Sequence, residues 1–269
     1  MSGLDYSGNA ERFSGFAAQY EAVRPSPPPI LREILPALAQ VKRPTLVVDL
    51  GSGTGLSTRF WQAHADRVVG IEVSDDMRRE AQAQTNASNV EYRAGVAHDT
   101  GLPDHCADIV TCSQSFHWMA PQPTLQEVAR ILRRGGVFAA YDCDWPPATT
   151  SWQADAAWDE MMERVRNIER DLKLRAAVHQ WRKQEHIANL RASGHFRFVR
   201  EIVLHHVEPG NAERIVGIAL SQGGTRTVLK HGLSEDEIGI TALREICART
   251  LGDELKPWYW SYRVRIGIV

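Results

Sequence analysis

Residues 48–55 read Val-Asp-Leu-Gly-Ser-Gly-Thr-Gly, and this stretch decides the fold. It closes a short apolar run, residues 45–50, of the kind that forms a β-strand buried on both faces. Glycine at alternate positions lets the backbone turn tightly and approach a ligand with no side chain in the way. By itself, such a turn would equally let a helix pack closely on the strand. Glu72 ends the next apolar run, about 20 residues further on, where an acidic side chain can accept hydrogen bonds from ribose hydroxyls. The glycine turn and Glu72 together predict the binding of an adenosine-containing ligand.

The same pattern of short apolar runs continues on both sides of this turn. The runs predict strands, and stretches with apolar residues at helical spacing separate most of them. The predicted strands cover residues 45–50, 67–72, 89–93, 107–112 and 136–141, and the predicted helices cover residues 30–38, 56–65, 75–85 and 121–133. Such alternation is typical of right-handed βαβ units around a parallel sheet. We therefore predict an α/β, doubly wound core.

Beyond residue 145 the pattern changes. Residues 150–192 have helical periodicity and no strand. Strands are predicted at residues 198–207 and 258–268, and helices at residues 211–221 and 234–251. We interpret residues 1–269 as a single domain with four parts. These are an N-terminal cap segment (1–29), a cofactor-binding core (30–145), a helical insertion or lid (146–195), and strands and helices that complete the sheet (196–269).

Composition excludes several classes of partner. Lys and Arg number 31 against 33 Asp and Glu, which gives a formal net charge of −2. Nucleic-acid-binding proteins usually have a basic excess or a basic stripe, so we expect no nucleic-acid partner. No apolar run approaches the roughly 20 residues of a membrane span, and the first residues lack the regions of a signal peptide. The 4 Cys are scattered and lack metal-site spacing, so we expect no metal and a cytoplasmic protein.

The spacing of the glycines separates the possible nucleotide ligands. The dinucleotide fingerprint needs a glycine at position 56, where the chain has Leu56. The P-loop sequence Gly-x-x-x-x-Gly-Lys-Ser/Thr does not occur. A nicotinamide-dependent oxidoreductase is therefore only the alternative interpretation, opposed by Leu56 and by the lack of an identifiable hydride-transfer apparatus.

Several stretches carry a resemblance to a known family. They are residues 48–55, residues 70–77 (Gly-Ile-Glu-Val-Ser-Asp-Asp-Met), residues 95–98 with 101–103, residues 107–110 leading to Ser115-Phe-His-Trp118, residues 132–136, and the upstream Tyr20 with Arg24-Pro25. Over most of residues 13–145 the chain resembles class I S-adenosylmethionine-dependent methyltransferases of the small-molecule type, which includes the trans-aconitate methyltransferases. The resemblance implies a Rossmann-like, seven-stranded, mostly parallel sheet whose last strand is antiparallel.

The resemblance also implies S-adenosylmethionine as the cofactor and S-adenosylhomocysteine as its product. Gly51, Gly53 and Gly55 would line the methionine end of the cofactor. Asp49 would hold the amino group of the cofactor, either directly or through the turn. Ser113, after the fourth strand, would lie beneath the sulfonium.

The adenosine end of the cofactor is assigned in the same way. Glu72 would bind the ribose, Val73 would flank the adenine, and Val96 and Ala97 would meet the adenine edge. Many relatives have an acidic residue at the position of Val96. Whether Val96 or Asp99 contacts the adenine here is left open.

Residues beyond the fourth strand are candidates for the methyl acceptor. Histidine titrates near neutral pH, so His117 would take a proton from an attacking hydroxyl or amine. It would only orient a carboxylate, and the alternative role is packing against the following helix. Trp118 lies beside it in the sequence, and Tyr20, Arg24 and Trp145 are further candidates for substrate contacts.

These features predict an enzyme that methylates a small-molecule acceptor, either a carboxylate or a hydroxyl. A non-catalytic S-adenosylmethionine-binding protein is a further alternative, because intact glycines do not prove catalysis. We expect a monomer or a homodimer.

Overall fold

The computed structural model describes residues 17–175 and 178–269. Its strands are β1 (Leu46–Leu50), β2 (Arg67–Glu72), β3 (Val90–Ala94), β4 (Ala107–Ser113), β5 (Leu132–Cys143), β6 (Phe198–Gly210) and β7 (Lys256–Ile268). They form one sheet in the order β3-β2-β1-β4-β5-β7-β6. β1 pairs in parallel with β2 and β4, β2 with β3 and β4 with β5, whereas β7 runs antiparallel to β5. The predicted seven-stranded, mostly parallel Rossmann-like sheet with an antiparallel last strand is confirmed.

Helices connect most of the strands. The described helices are α1 (Ala17–Val23), α2 (Leu31–Leu38), α3 (Leu56–Phe60), α4 (Asp75–Ala83), α5 (Pro121–Ile131), α6 (Trp152–Asp171), α7 (His186–Ala192), α8 (Ala212–Leu220), α9 (Gly223–Lys230) and α10 (Ile240–Thr250). Two short 3-10 turns cover Phe116–Trp118 and Lys183–Glu185. No helix among these residues combines the length and the apolar character that a membrane span requires.

The direction in which successive strands are added to the sheet reverses between β1 and β4. This reversal positions the candidate site. β1 is buried along its whole length, as expected for a strand covered on both faces. From β1 the chain winds outward through β2 to β3 and then returns to β4 on the other side. In sheets of this kind, ligands bind in the crevice outside the carboxyl ends of the strands at such a switch point. A ligand site is therefore expected at the residues that follow β1, β2 and β4.

The chain forms two compact units, each built from separate segments. The first unit comprises residues 26–143, 179–204 and 262–269, and it holds the glycine turn and the core around β1 and β4. The second unit comprises the described residues within 1–25, 144–178 and 205–261. Residues 1–16 of the predicted cap segment and residues 176–177 of the predicted insertion lie outside the described residues.

Some predicted boundaries are wrong. The helix predicted at residues 56–65 ends at Phe60, and the N–H groups of Trp61, Gln62 and His64 then bond to carbonyls three residues back, so the chain continues in tight turns. The helical stretch predicted at 150–192 is interrupted between α6 and α7.

A helix and two strand ends escaped the sequence analysis. α9 begins at Gly223, and two consecutive glycines argue against a helix on propensity alone. The second of them, Gly224, lies where a Cβ would stand 3.0 Å from a carboxylate oxygen of Glu169 in α6, so close helix packing explains it. β6 extends to Gly210, and β5 begins at Leu132.

Candidate functional site

The glycine turn after β1 has three glycines with positive φ angles, which favour glycine over other residues. A Cβ on Gly51 would stand 2.7 Å from Cβ of Ser115, and one on Gly55 would collide with the hydroxyl of Tyr92. Protein packing therefore accounts for both of these glycines. Gly53 differs, because a Cβ there would meet no described atom within 4 Å. The absence of a side chain at Gly53 leaves space that the described part of the protein does not fill.

Glu72 at the end of β2 is tied directly to this turn. One of its carboxylate oxygens accepts a 2.9 Å hydrogen bond from the Gly53 N–H, and the other accepts a 2.9 Å bond from the Ser74 N–H. Burial raises the pKa of Glu72, and the backbone donors act against that rise. A carboxylate offers about four acceptor positions, so Glu72 can hold the turn and still accept hydrogen bonds from a ligand.

Asp49 in β1 is fully buried and anchors the start of α3. Its Oδ2 accepts hydrogen bonds from Ser57 (2.6 Å) and Thr58 (2.8 Å), and its Oδ1 accepts one from Thr111 in β4 (2.9 Å). Burial raises the pKa of this carboxyl group, and the three hydroxyl donors lower it. Of the two predicted roles for Asp49, these contacts favour the indirect one, in which it acts through the turn.

The loop after β3 carries the residues predicted to contact adenine. The Asp99 N–H donates a 3.1 Å hydrogen bond to the Val96 carbonyl and closes a tight turn in which Ala97 is buried and Asp99 is exposed. Thr100 then anchors the loop, because its N–H and its hydroxyl both donate to Glu127 of α5 (2.9 and 2.6 Å).

Two further predicted cofactor residues lie at the ends of β2 and β4, the strands on either side of β1. Val73 comes directly after Glu72 and is 45% exposed. Ser113 is the last residue of β4 and is half-buried. Both positions lie at the carboxyl edge of the parallel strands, where the glycine turn also lies.

His117 belongs to a buried polar cluster in the first unit. Its Nδ1 lies 3.4 Å from Oδ1 of Asp142, near the end of β5. The same oxygen contacts Nζ of Lys183 (2.9 Å), and the other oxygen contacts Nη1 of Arg265 (3.1 Å) and lies 4.0 Å from Nε2 of His186. Burial alone would raise the pKa of Asp142, but Lys183 and His117 outweigh it and hold the pKa well below the ordinary value.

The backbone also fixes the position of His117. It lies in the 3-10 turn after β4, and its carbonyl accepts a 2.8 Å hydrogen bond from the Trp181 N–H. Its ring packs against that of Trp118 at a centroid distance of 4.7 Å. His117 is only 5% exposed, so the packing role and the chemical role named for it are compatible.

Tyr20, Arg24 and Trp145 come together in the second unit. The Arg24 guanidinium lies 4.3 Å from the ring centroid of Tyr20 and 4.8 Å from that of Trp145. It also donates to the hydroxyl (3.1 Å) and the carbonyl (2.9 Å) of Ser221. Trp145 stacks on Trp158 at 6.3 Å. The structure therefore brings three of the five predicted substrate residues together, and the other two, His117 and Trp118, lie in the first unit.

His186 provides a test of the cluster through protein stability. Neither of its ring nitrogens has a hydrogen-bond partner among the described residues, and the ring is fully buried against Phe116. A buried polar group without a partner costs about 1–3 kcal/mol. We therefore expect His186→Leu to raise the free energy of unfolding at pH 7 by about 1 kcal/mol, measured by urea denaturation.

The difference in the free energy of unfolding between His186→Leu and wild type should grow in mild acid. Burial lowers the pKa of His186 to about 4, as do the cationic groups of Arg265 and Lys183, while Asp142 raises it. The unfolded chain takes up its proton near pH 6.5, so the native protein loses stability as the pH falls from about 6.5 to about 4. The leucine variant lacks this loss, and a replacement of exposed His195 should leave the pH profile unchanged. Parallel profiles for wild type and His186→Leu would contradict the assignment.

Part of the chain is similar to known proteins. Residues 48–140 match the family described as the methyltransferase domain. This segment is similar to methyltransferase domains. An uncharacterized methyltransferase of Mycobacterium tuberculosis is 38% identical over 128 residues, which cover 46% of this chain and 49% of the relative. A Saccharomyces cerevisiae protein described as an S-adenosylmethionine-dependent methyltransferase is 30% identical over 128 residues, 46% of this chain and 44% of its own.

The chain spans about half the length of the curated relatives that it matches. Solved structures extend the similarity of fold further. A structure described as a type II methyltransferase from Anaeromyxobacter dehalogenans is 20% identical, with a TM-score of 0.65, and the match covers 91% of this chain and 97% of that one. The matched segment is thus similar to methyltransferase domains, and the fold is that of a solved structure described as a methyltransferase.

Sequence analysis missed four members of the buried cluster: Asp142, Lys183, His186 and Arg265. For Asp142 the sequence offers one signal, an acidic residue at the carboxyl end of a predicted core strand. Lys183 and His186 lie in the stretch predicted to be helical, and Arg265 lies in the predicted terminal strand. Nothing local indicates that these three residues lie close to Asp142.

Proposed function

We propose that the protein transfers a methyl group from S-adenosylmethionine to a small-molecule acceptor, either a carboxylate or a hydroxyl. The observation that carries this proposal is the space above Gly53, bordered by the buried carboxylate that binds the same glycine. Gly51 and Gly55 are in close protein contact, whereas Gly53 leaves open space beside Glu72. The positive φ of Gly53 (+55°) also favours glycine there, so the support comes from the space and the carboxylate together.

The residues present fit the cofactor at both of its ends. The methionine part would pass over Gly53, and the ribose hydroxyls would donate to Glu72. Val73, Val96 and Ala97 would contact the adenine. Ser113 would lie beneath the sulfonium, and Asp49 would fix the turn from below. When bound, S-adenosylmethionine supplies an electrophilic methyl group, and the protein supplies alignment and the exclusion of water.

On the acceptor side, His117 and Trp118 would contact the group that receives the methyl. A hydroxyl would lose its proton to His117, whereas a carboxylate needs no base. Arg24, Tyr20 and Trp145 lie together in the second unit and stay predicted substrate contacts, and a guanidinium would suit a carboxylate. The near-neutral charge favours a small molecule over nucleic acid.

There are two alternative functions. One protein would bind a nicotinamide dinucleotide at the turn, and the other would bind S-adenosylmethionine without transferring its methyl group. In a nicotinamide-dependent oxidoreductase, a pyrophosphate would be bound at the start of the helix after the turn. That helix, α3, is only five residues long, and Leu56 replaces the third glycine of the fingerprint. A non-catalytic S-adenosylmethionine-binding protein would keep the cofactor contacts and fail in every methyl-transfer assay.

Replacing Glu72 tests the cofactor assignment. In Glu72→Ala, two ribose hydroxyls lose a charged acceptor, and hydrogen bonds to charged groups contribute roughly 1.5–3 kcal/mol each. We expect the affinity for S-adenosylhomocysteine to fall at least tenfold, measured by calorimetry, while the fold is retained.

Glu91→Ala is the matched control, because Glu91 lies on the neighbouring strand and contacts the exposed Arg67. It should bind S-adenosylhomocysteine as wild type does. NAD should show no binding to either protein. Equal affinities of wild type and Glu72→Ala would rule out Glu72 as the ribose acceptor, and tight NAD binding would favour the oxidoreductase.

A metabolite screen identifies the acceptor. The purified protein is incubated with S-adenosylmethionine labelled in the methyl group and with pools of carboxylic acids, alcohols and amines. Transfer of label to a carboxylic acid or an alcohol supports the proposal. Cofactor binding without transfer to any pool supports the non-catalytic alternative.

A further inference from the structure

We propose that Asp142 is a positioning residue for His117, which holds the imidazole with its proton on Nδ1 and so leaves Nε2 to accept the proton of a hydroxyl acceptor. This inference rests on the proposed function and concerns the same site. Asp142 touches neither cofactor nor acceptor in this scheme. It acts only through His117.

The geometry of the cluster supports this assignment. Nδ1 of His117 lies 3.4 Å from the Asp142 carboxylate, within ion-pair distance but outside hydrogen-bond geometry. Both side chains are 6% exposed, so little water competes for the contact. The Trp181 N–H holds the backbone carbonyl of His117 at 2.8 Å, which limits movement of the 3-10 turn. An acceptor facing Nδ1 favours the tautomer that carries the proton there.

The charges around Asp142 keep it an acceptor. Lys183 and Arg265 contact opposite oxygens of the carboxylate, and Arg265 is itself held by Glu201 at 2.7 Å. With two cationic partners, the carboxylate stays ionised and cannot donate a proton to His117. His186 is the other titratable group that faces it, at 4.0 Å.

The same charges argue against a metal ion in this place. His117, Asp142 and His186 bring three potential ligand atoms within 4.8 Å of one another. However, the Lys183 ammonium group contacts the Asp142 oxygen that a metal would share with His117, and Arg265 contacts the other oxygen. Two cations already neutralise the single carboxylate, so a divalent ion would meet like charge at close range.

The proton has a defined path in the proposed step. The hydroxyl proton of the acceptor passes to Nε2 of His117 while an electron pair of the same oxygen bonds to the methyl carbon. The electron pair of the broken carbon–sulfur bond remains on sulfur, which becomes the neutral thioether of S-adenosylhomocysteine. The imidazolium, stabilised by Asp142, then returns its proton to water.

Nitrogen-15 NMR of the imidazole rings tests the tautomer directly. The His117 signals are assigned as those missing from His117→Gln. At a pH where the ring is neutral, wild type should show His117 protonated on Nδ1. A wild-type ring protonated on Nε2 overturns the proposal, whatever any variant does.

Asp142→Asn should change the tautomer. Arg265 is 4% exposed and fixed by Glu201, whereas Lys183 is 31% exposed. The amide oxygen should therefore face Arg265, which turns the amide NH₂ toward Nδ1 and moves the imidazole proton to Nε2. The rate with a hydroxyl acceptor should fall about a hundredfold, with binding of S-adenosylhomocysteine within twofold of wild type. An unchanged tautomer in the folded variant overturns the proposal.

Two control variants separate the remaining outcomes. Glu201→Gln changes a partner of Arg265 without touching His117, and Lys183→Gln keeps the Asp142 carboxylate, so both should retain the proton on Nδ1.

Zn²⁺ added to wild type should not move the His117 or His186 signals, and a specific shift of both would show a metal site instead. If the tautomer is as expected while S-adenosylhomocysteine does not bind, the proposed function fails and the assignment of the imidazole proton stands.

Discussion

Gly53→Val is expected to abolish the binding of S-adenosylhomocysteine while the protein remains folded. Gly53 has a φ of +55°, and a Cβ placed there meets no described atom within 4 Å. The substitution therefore costs backbone strain of roughly 1–2 kcal/mol without a collision inside the described protein. In the proposed complex, however, the branched side chain fills the space of the methionine part of the cofactor. Calorimetry should show a loss of affinity of at least a hundredfold.

Gly194→Val is the matched control for the strain. Gly194 lies in the same unit and has a φ of +72°, and a Cβ placed there would likewise meet no described atom within 4 Å. It should lose similar stability in urea denaturation and keep full affinity for S-adenosylhomocysteine. Normal binding by Gly53→Val would mean that the turn is only structural, and equal losses in both variants would trace the effect to strain.

The sequence predicts β1, the glycine turn and the position of Glu72 well because the information for them is local. An apolar run, a glycine turn and an acidic strand end lie within residues 45–72, and each has one dominant physical reading. The contact between Glu72 and Gly53 follows from β1 and β2 being parallel neighbours. The sequence does not show why each of these positions has a glycine. Only the structure shows that Gly51 faces Ser115 while Gly53 faces open space.

The surroundings of His117 are less predictable because their contacts join distant parts of the chain. Asp142 and Lys183 are far apart in the sequence, and their contact depends on the break between α6 and α7, which helical periodicity does not reveal. Tertiary partners of this kind override local propensity, and no short stretch of sequence encodes them.

His117→Gln is the second substitution with a large expected effect, and its outcome depends on the acceptor. Glutamine is neutral and can donate its amide N–H to Asp142, so the charges of Lys183 and Arg265 remain balanced. It cannot accept a proton near neutral pH. If the acceptor is a hydroxyl, the rate of methyl transfer should fall on the order of a hundredfold or more, since general-base catalysis contributes about that much.

A carboxylate acceptor gives the opposite result for the same variant. It is already ionised and needs no base, so His117→Gln should lose little rate and show no new pH dependence. Rates with saturating S-adenosylmethionine across pH 5–9 distinguish the two cases, and His231→Gln, at an exposed position beyond α9, serves as the control. Full activity of His117→Gln on a hydroxyl acceptor would exclude His117 as the base. Because Asp142 acts only through His117, adding Asp142→Asn to His117→Gln should slow transfer to a hydroxyl no further than His117→Gln does alone.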